Sequence, residues 1–305
     1  MNPTPTTEER IWAVFSHLSA LALGMGILLP ILGWSEQRRK SKYASFQCLQ
    51  ALGYQSLGFT VWLLAYLLII IIALVMVTIK SFLAEKSGET FDPLTQGMMV
   101  SALIVAILFL MLYMILPIIA AISCALGKDI RYPLIGDRLA NYLDYEETSK
   151  ETSWLIEEHE DRWVAAMGHF SVIIALWGLL APITSWIVQG KRSAFLKFQS
   201  LQTAAYQIFV NILFIVAGFF YFLGVIVFFS TTGLEGNPNL SSPTGMAGLV
   251  IFGISSLCAS LIILMVPLFH ILGQWAGYRV LKGDDYHYPI FGRLVERRMT
   301  RNMSL

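Results

Sequence analysis

The sequence predicts an all-α, polytopic membrane protein built from two tandem homologous units. Three observations carry this. Of 305 residues, 56% are hydrophobic and only 13% charged, too apolar for an ordinary soluble domain. The charges are segregated: no Asp, Glu, Lys or Arg occurs in 43–79, 93–127 or 163–190, and Glu235 stands alone in 198–278. Such runs exceed the roughly 20 residues a helix needs to cross a bilayer. Finally, residues 10–55 align without a gap onto 162–207 at an offset of 152, with 17 of 46 positions identical. Repetition on this scale marks a duplicated module.

Each unit has the same order. After a tail at 1–9, expected to be disordered, the first unit covers 10–143. An acidic linker at 144–161, expected to be solvated and cytoplasmic, leads to the second unit at 162–300. Every unit opens on an apolar segment (11–34; 163–186) and a short basic loop (35–45; 187–197). Two long transmembrane helices follow (46–79 and 98–126; 198–230 and 246–278), separated by polar loops.

The first segment is broken. Pro30 removes the helical hydrogen bond to the carbonyl of Gly26, and Gly178 with Pro182 repeats that hinge. The segment is either a kinked spanning helix or a re-entrant hairpin. If it spans, the basic residues divide 9 against 12 between the two faces. If it does not, 19 share one face and only Lys80 and Lys86 lie opposite, the bias that the positive-inside rule describes. The charge count favours four crossings, parallel units and cytoplasmic termini, in a bacterial cytoplasmic membrane. Pro117 and Pro267 interrupt the last long helix of each unit and are further candidate hinges. Beyond them, Leu134, Ile135, Leu139 and Leu143, and Ile290, Phe291, Leu294, Val295 and Met299, predict amphipathic tail helices. These either lie in the cytoplasmic interface or pack on a neighbour, with Pro133 and Pro289 in the first turn.

The chemistry is concentrated in two polar stripes. Gln47, Gln50, Tyr54 and Gln55 share one side of a helix, Gln199, Gln202, Tyr206 and Gln207 repeat them, and His17 and His169 reach the same depth. Amides in an apolar helix face protein or water, because unpaired they cost several kcal/mol in hydrocarbon. They read either as hydrogen-bonded glue between helices or as a ligand, headgroup or proton site. No carboxylate, and no Cys or Ser with a positioned base, accompanies them, so a catalytic site is not expected. His159 and His287 lie in polar segments and are expected to be solvated, while His270 stands alone. Histidine spacing predicts no metal site, the three cysteines lack CxxC spacing, and no cofactor motif appears. Trp12, Trp34, Trp163, Trp186, Tyr132 and Tyr288 fit interfacial aromatic belts. A nucleic-acid groove is not indicated.

The run His17-Leu18-Ser19, Pro30, the basic loop, Gln50-Ala51-Leu52-x-x-Gln55 and Arg131-Tyr132-Pro133-Leu134-x-Gly136 resembles the prokaryotic domain-of-unknown-function proteins related to the Tic-twenty plastid import subunit. The second unit matches through His169, Pro182, Gln199, Gln202, Gln207 and Tyr288-Pro289, although it has Thr203-Ala204 for Ala51-Leu52. For the plastid relatives the resemblance implies a part in a protein-conducting complex, and for prokaryotic members no assigned activity. The expected function is a non-enzymatic membrane scaffold or accessory subunit, in contact with the bilayer and with other membrane subunits or copies of itself. The alternative is a small transporter or channel using the paired clusters. An enzyme acting on lipid rests only on the depth of His17 and His169.

Overall fold

The computed structural model describes residues 4–84, 93–146, 154–233 and 242–303, with only the backbone described over parts of 59–84 and 93–99 and at 302–303. Within them all regular structure is helical. Helix α1 (Thr7–Leu18) starts inside the expected tail, because Thr6 and Glu9 form a reciprocal capping box. A 3-10 stretch (Ser19–Ile27) joins it to α2 (Leu28–Gln37). Long helices α3 (Lys42–Ala84) and α4 (Pro93–Ala125) follow, then short α5 (Gly136–Leu143). The second unit repeats this as α6 (Glu157–Phe170), a 3-10 stretch (Ser171–Leu179), α7 (Leu180–Gln189), α8 (Ala194–Thr232), α9 (Pro243–Leu281) and α10 (Phe291–Met303). Ser193 and Ser242 cap α8 and α9, with Pro243 opening α9.

The first segment of each unit folds back on itself. Gln37 at the end of α2 donates to Glu8 at the start of α1 over 3.1 Å, and Gly33 of α2 packs on Trp12 and Ser16 of α1. The chain therefore enters and leaves at one end. By length and composition, Thr7–Gln37, Val100–Ala125, Glu157–Gln189, Ala194–Thr232 and Pro243–Leu281 could each cross a membrane. The first and third of these contain the reversals and do not run straight.

Reversal occurs at Leu23 (φ 51°, ψ −133°) and at Ala175 (φ 49°, ψ −134°), residues 152 apart. A positive φ at a residue with a Cβ costs on the order of 1–3 kcal/mol and persists only where the surroundings enforce it. Here Gly26 helps to enforce it, because a Cβ there would overlap the Ser19 carbonyl. Gly178 stands in the same relation to Ser171. Pro30 and Pro182, expected at the break, sit instead in the first turns of α2 and α7, where the missing N–H leaves no helical bond unmade.

The two units are parallel. Gly24 at one hairpin tip lies against Ile174 and Trp177 at the other, while at the open ends Gln189 donates to Ser35 over 2.6 Å. Between them, Trp34 and Trp163, expected in interfacial belts, are buried in the shared core. The Trp163 indole donates to the Leu49 carbonyl at 3.0 Å, with its ring on Gly53. Glu160 and Asp161, expected to be solvated, are buried on Arg38: its Nε is 3.0 Å from Glu160, its Nη2 2.7 Å from Asp161, and Trp34 Nε1 donates to Glu160 at 3.1 Å.

The tails diverge from one another. In α5, Leu139 and Leu143 are buried in the core and only Leu134 is freely exposed, so this helix packs on its neighbours. In α10, Ile290 and Leu294 stay exposed, while Phe291 rests on Tyr206. Both helices start after Pro133 and Pro289 rather than at them. Pro117 and Pro267 lie within continuous helices. Their positions are not equivalent, since the Tyr-Pro anchors repeat at an offset of 156 and place Gly273 opposite Pro117.

Candidate functional site

The polar stripe of α3 reaches two targets. Gln47 and Gln50, one turn apart, point at the chain returning from α4; Gln55, two turns on, points into the hairpin. The Gln50 amide pairs with backbone on both sides, its Nε2 donating to the Ile130 carbonyl at 2.9 Å and its Oε1 accepting from the Tyr132 N–H at 2.9 Å. It also donates to Gln47 Oε1 at 3.2 Å. Gln47 Nε2 donates to Asp129 Oδ1 at 2.6 Å and to the Ile130 carbonyl at 3.1 Å. With both amides oriented in this way, Gln47 Oε1 is an acceptor for His17 Nε2–H at 2.9 Å. His17 Nδ1 lies 2.8 Å from the Tyr132 hydroxyl, which can either donate or accept there.

The second unit reproduces the arrangement. Gln202 donates to the Tyr286 carbonyl at 2.7 Å and to Gln199 Oε1 at 2.6 Å, and accepts from the Tyr288 N–H at 3.1 Å. His169 lies between Gln199 Oε1 at 3.1 Å and the Tyr288 hydroxyl at 3.0 Å, with Thr203 Oγ1 3.0 Å from its Nδ1. The carboxylate is the difference: Asp285, aligned with Asp129, pairs with Arg162 instead. Asp129 also corrects the expectation that no carboxylate accompanies the stripe.

Gln55 and Tyr54 make no hydrogen bond into these clusters and reach other partners. Gln55 Nε2 donates to the Ser16 carbonyl at 3.1 Å and to Ser19 Oγ at 3.0 Å, and Gln207 likewise reaches Gly168 and Ser171. These amides bond the point where α1 stops being α-helical. Their remaining oxygens, without a hydrogen-bond partner, face Gly26 and Gly178. Tyr54 donates to the Tyr113 carbonyl at 2.7 Å, and Tyr206 to the Phe269 carbonyl at 2.6 Å. Four residues on from Tyr113 stands Pro117, which has no N–H to offer that carbonyl, so the tyrosine supplies the missing donor.

Tyr132 and Tyr288, assigned from the sequence to membrane interfaces, are buried cluster members stacked on Tyr54 and Tyr206 with centroids 4.5 and 4.1 Å apart. The recurrence of Tyr-Pro 156 residues apart was the signal for them. Of the other histidines, His159 is half-buried and stacked on Tyr142, His270 is half-buried near Phe214, and His287 is exposed. Among the described residues no group of three or more His, Cys, Asp or Glu is placed to hold a metal ion.

Replacing Gln50 by Leu leaves the Tyr132 N–H and one acceptor bond of Ile130 unmade in a buried place, which costs about 1–3 kcal/mol. Gln202→Leu does the same in the other unit. The two clusters share no partner, so their effects on the melting temperature in detergent should add. A stability gain in either single variant would contradict the role of these amides as glue.

Polar groups bonded to one another inside long apolar helices, in two parallel units each opened by a hairpin, define an integral membrane bundle made by internal duplication. The chain belongs to the MamF/MmsF family, the magnetosome magnetite crystal formation proteins, whose model matches residues 8–139 and again 160–295. That match overturns the resemblance to the Tic-twenty relatives. The residues behind that resemblance were small polar islands in apolar helices, and any bundle that must satisfy amides away from water needs such islands. No curated protein and no solved structure matches the chain.

Proposed function

We propose that the protein is a non-enzymatic scaffold or accessory subunit of a larger membrane assembly, acting in the magnetite crystal formation for which its family is named. One observation carries the reading: in both units the His–Gln–Gln–Tyr groups are consumed in tying the hairpin, the long helix and the Tyr-Pro segment together. A site for a transported ligand would need some of these groups turned toward it. In a magnetosome-forming host, deleting the gene should alter crystal size or number in electron micrographs, and the tagged chain should co-purify with stoichiometric membrane partners. Ion or solute flux through proteoliposomes, abolished by Gln50→Leu, would reject the scaffold reading in favour of a transporter.

Four crossings by α3, α4, α8 and α9 belong to the same proposal. The returning hairpins and the 19-to-2 division of basic residues support it. Thiol-labelling of the exposed positions Lys40→Cys and Arg192→Cys in intact and opened cells should place both loops on the cytoplasmic face. Labelling from opposite faces would refute parallel crossings.

A further inference from the structure

Beside the contacts between like elements, α2 on α7 and hairpin tip on hairpin tip, the two units meet through unlike surfaces. Unit one offers a socket formed by Trp34 of α2 and Arg38 just past its end, with the Leu49 carbonyl and Gly53 of α3. Unit two fills it with Glu160 and Trp163 of α6, and Met167, one turn on along the same face, is buried in the shared core. The reciprocal contact is not made: among the described residues α6 packs on α3, but α1 does not pack on α8. An interface between unlike surfaces leaves one copy of each surface unused, and repeated between chains it generates rings or filaments.

Both unused copies are open. On α1, Ile11 and Phe15 are 47% and 54% exposed, whereas their repeats Trp163 and Met167 are 7% and 0% exposed. On α7, Trp186 is 41% exposed where its repeat Trp34 is fully buried. The open pair is also matched in size and charge. Where Trp163 sits on Gly53, the smaller Ile11 would meet Ala205, a residue one methyl larger. Glu8 repeats Glu160, and Trp186 keeps the indole that would donate to it. Arg38 is replaced by Gly190, but the exposed Lys191 and Arg192 directly follow and supply positive charge.

We propose that the protein assembles head to tail in the membrane, the α1 face of one copy (Glu8, Ile11, Phe15) seating against the α7–α8 face of the next (Trp186, Leu201, Ala205). The assembly continues between chains the interface already present within one.

Cross-linking tests this directly. Cys48 and Cys124 are buried, so a Cys258→Ala background keeps native thiols out of reach. Two differently tagged chains, one Ile11→Cys and one Ala205→Cys, are co-expressed and treated in native membranes with a short bis-maleimide. The expected product joins the two tags, and a chain carrying both substitutions should give a ladder of multimers. Equally strong products joining two Ile11→Cys chains to each other would overturn the proposal in favour of a symmetric dimer. Cross-links from the Ile11→Cys chain only to another protein would overturn it in favour of a different partner. A second measurement needs no new cysteine. The unsubstituted chain extracted into lipid nanodiscs should run as multimers, and Phe15→Arg should melt as the parent does yet run as a monomer. A parent chain that is monomeric in nanodiscs and uncross-linked in membranes overturns the proposal.

Discussion

Arg38→Met should detach the two units from each other more effectively than any other single exchange. The guanidinium is almost entirely buried and faces Glu160 and Asp161, which are buried with it. Removing it leaves two carboxylates without their counter-charge, and breaking a buried pair in this way costs about 3–5 kcal/mol. Trp34 Nε1 remains as a donor to Glu160, but a neutral N–H does not replace a cation. The melting temperature in detergent should fall steeply, and the start of α6 at 157–161 should become sensitive to protease. Neutralising the partners as well, with Glu160→Gln and Asp161→Asn added, should recover much of the loss. If the single variant melts within a degree of the parent, Arg38 does not hold the units together.

Gly26→Ala should be nearly as damaging, for a steric reason. A Cβ at this position would overlap the Ser19 carbonyl and lie 3.0 Å from Gln55 Oε1. Backbone is on the receiving side, so no side-chain rotamer relieves the clash, and overpacking of this kind typically costs about 1–3 kcal/mol, occasionally more. The hairpin must open, which parts Gln55 from Ser16 and Ser19 and strains the contact between Gln37 and Glu8. Gly178→Ala should act alike in the second unit. Gly218→Ala, inside α8 where an added Cβ meets nothing, is the control and should leave the melt unchanged or raise it slightly, because alanine favours a helix interior over glycine. Thermal unfolding of the three variants checks the expectation, and equal melts for Gly26→Ala and Gly218→Ala would show that the hairpin tolerates opening.

Much of this protein could be read from its residues alone. The offset of 152, the charge-free runs and the crowding of basic residues at one set of loops determined an all-helical membrane protein of two like units, and favoured a first segment that returns. Those signals are one-dimensional: repetition, apolar length and the side on which charge can stay hydrated. The Gln stripe was legible as well, because amides in an apolar helix must find partners.

Which partners they find was decided only in three dimensions. The reversal falls at Leu23 and Ala175, where no glycine marks the positive φ, and the nearby glycines serve close approach instead. Tyr132, Tyr288, Trp34 and Trp163 looked like residues of a membrane interface because lipid and protein interior are equally apolar. Hydropathy therefore cannot separate an aromatic ring facing lipid from one buried between helices. Glu160 and Asp161 looked solvated for the complementary reason, since their neutralising Arg38 lies more than 120 residues away in the other unit. The unlike surfaces through which the units meet, and the two left open, depend on that long-range pairing. No local pattern in a duplicated sequence distinguishes a repeat that is covered from one that is not.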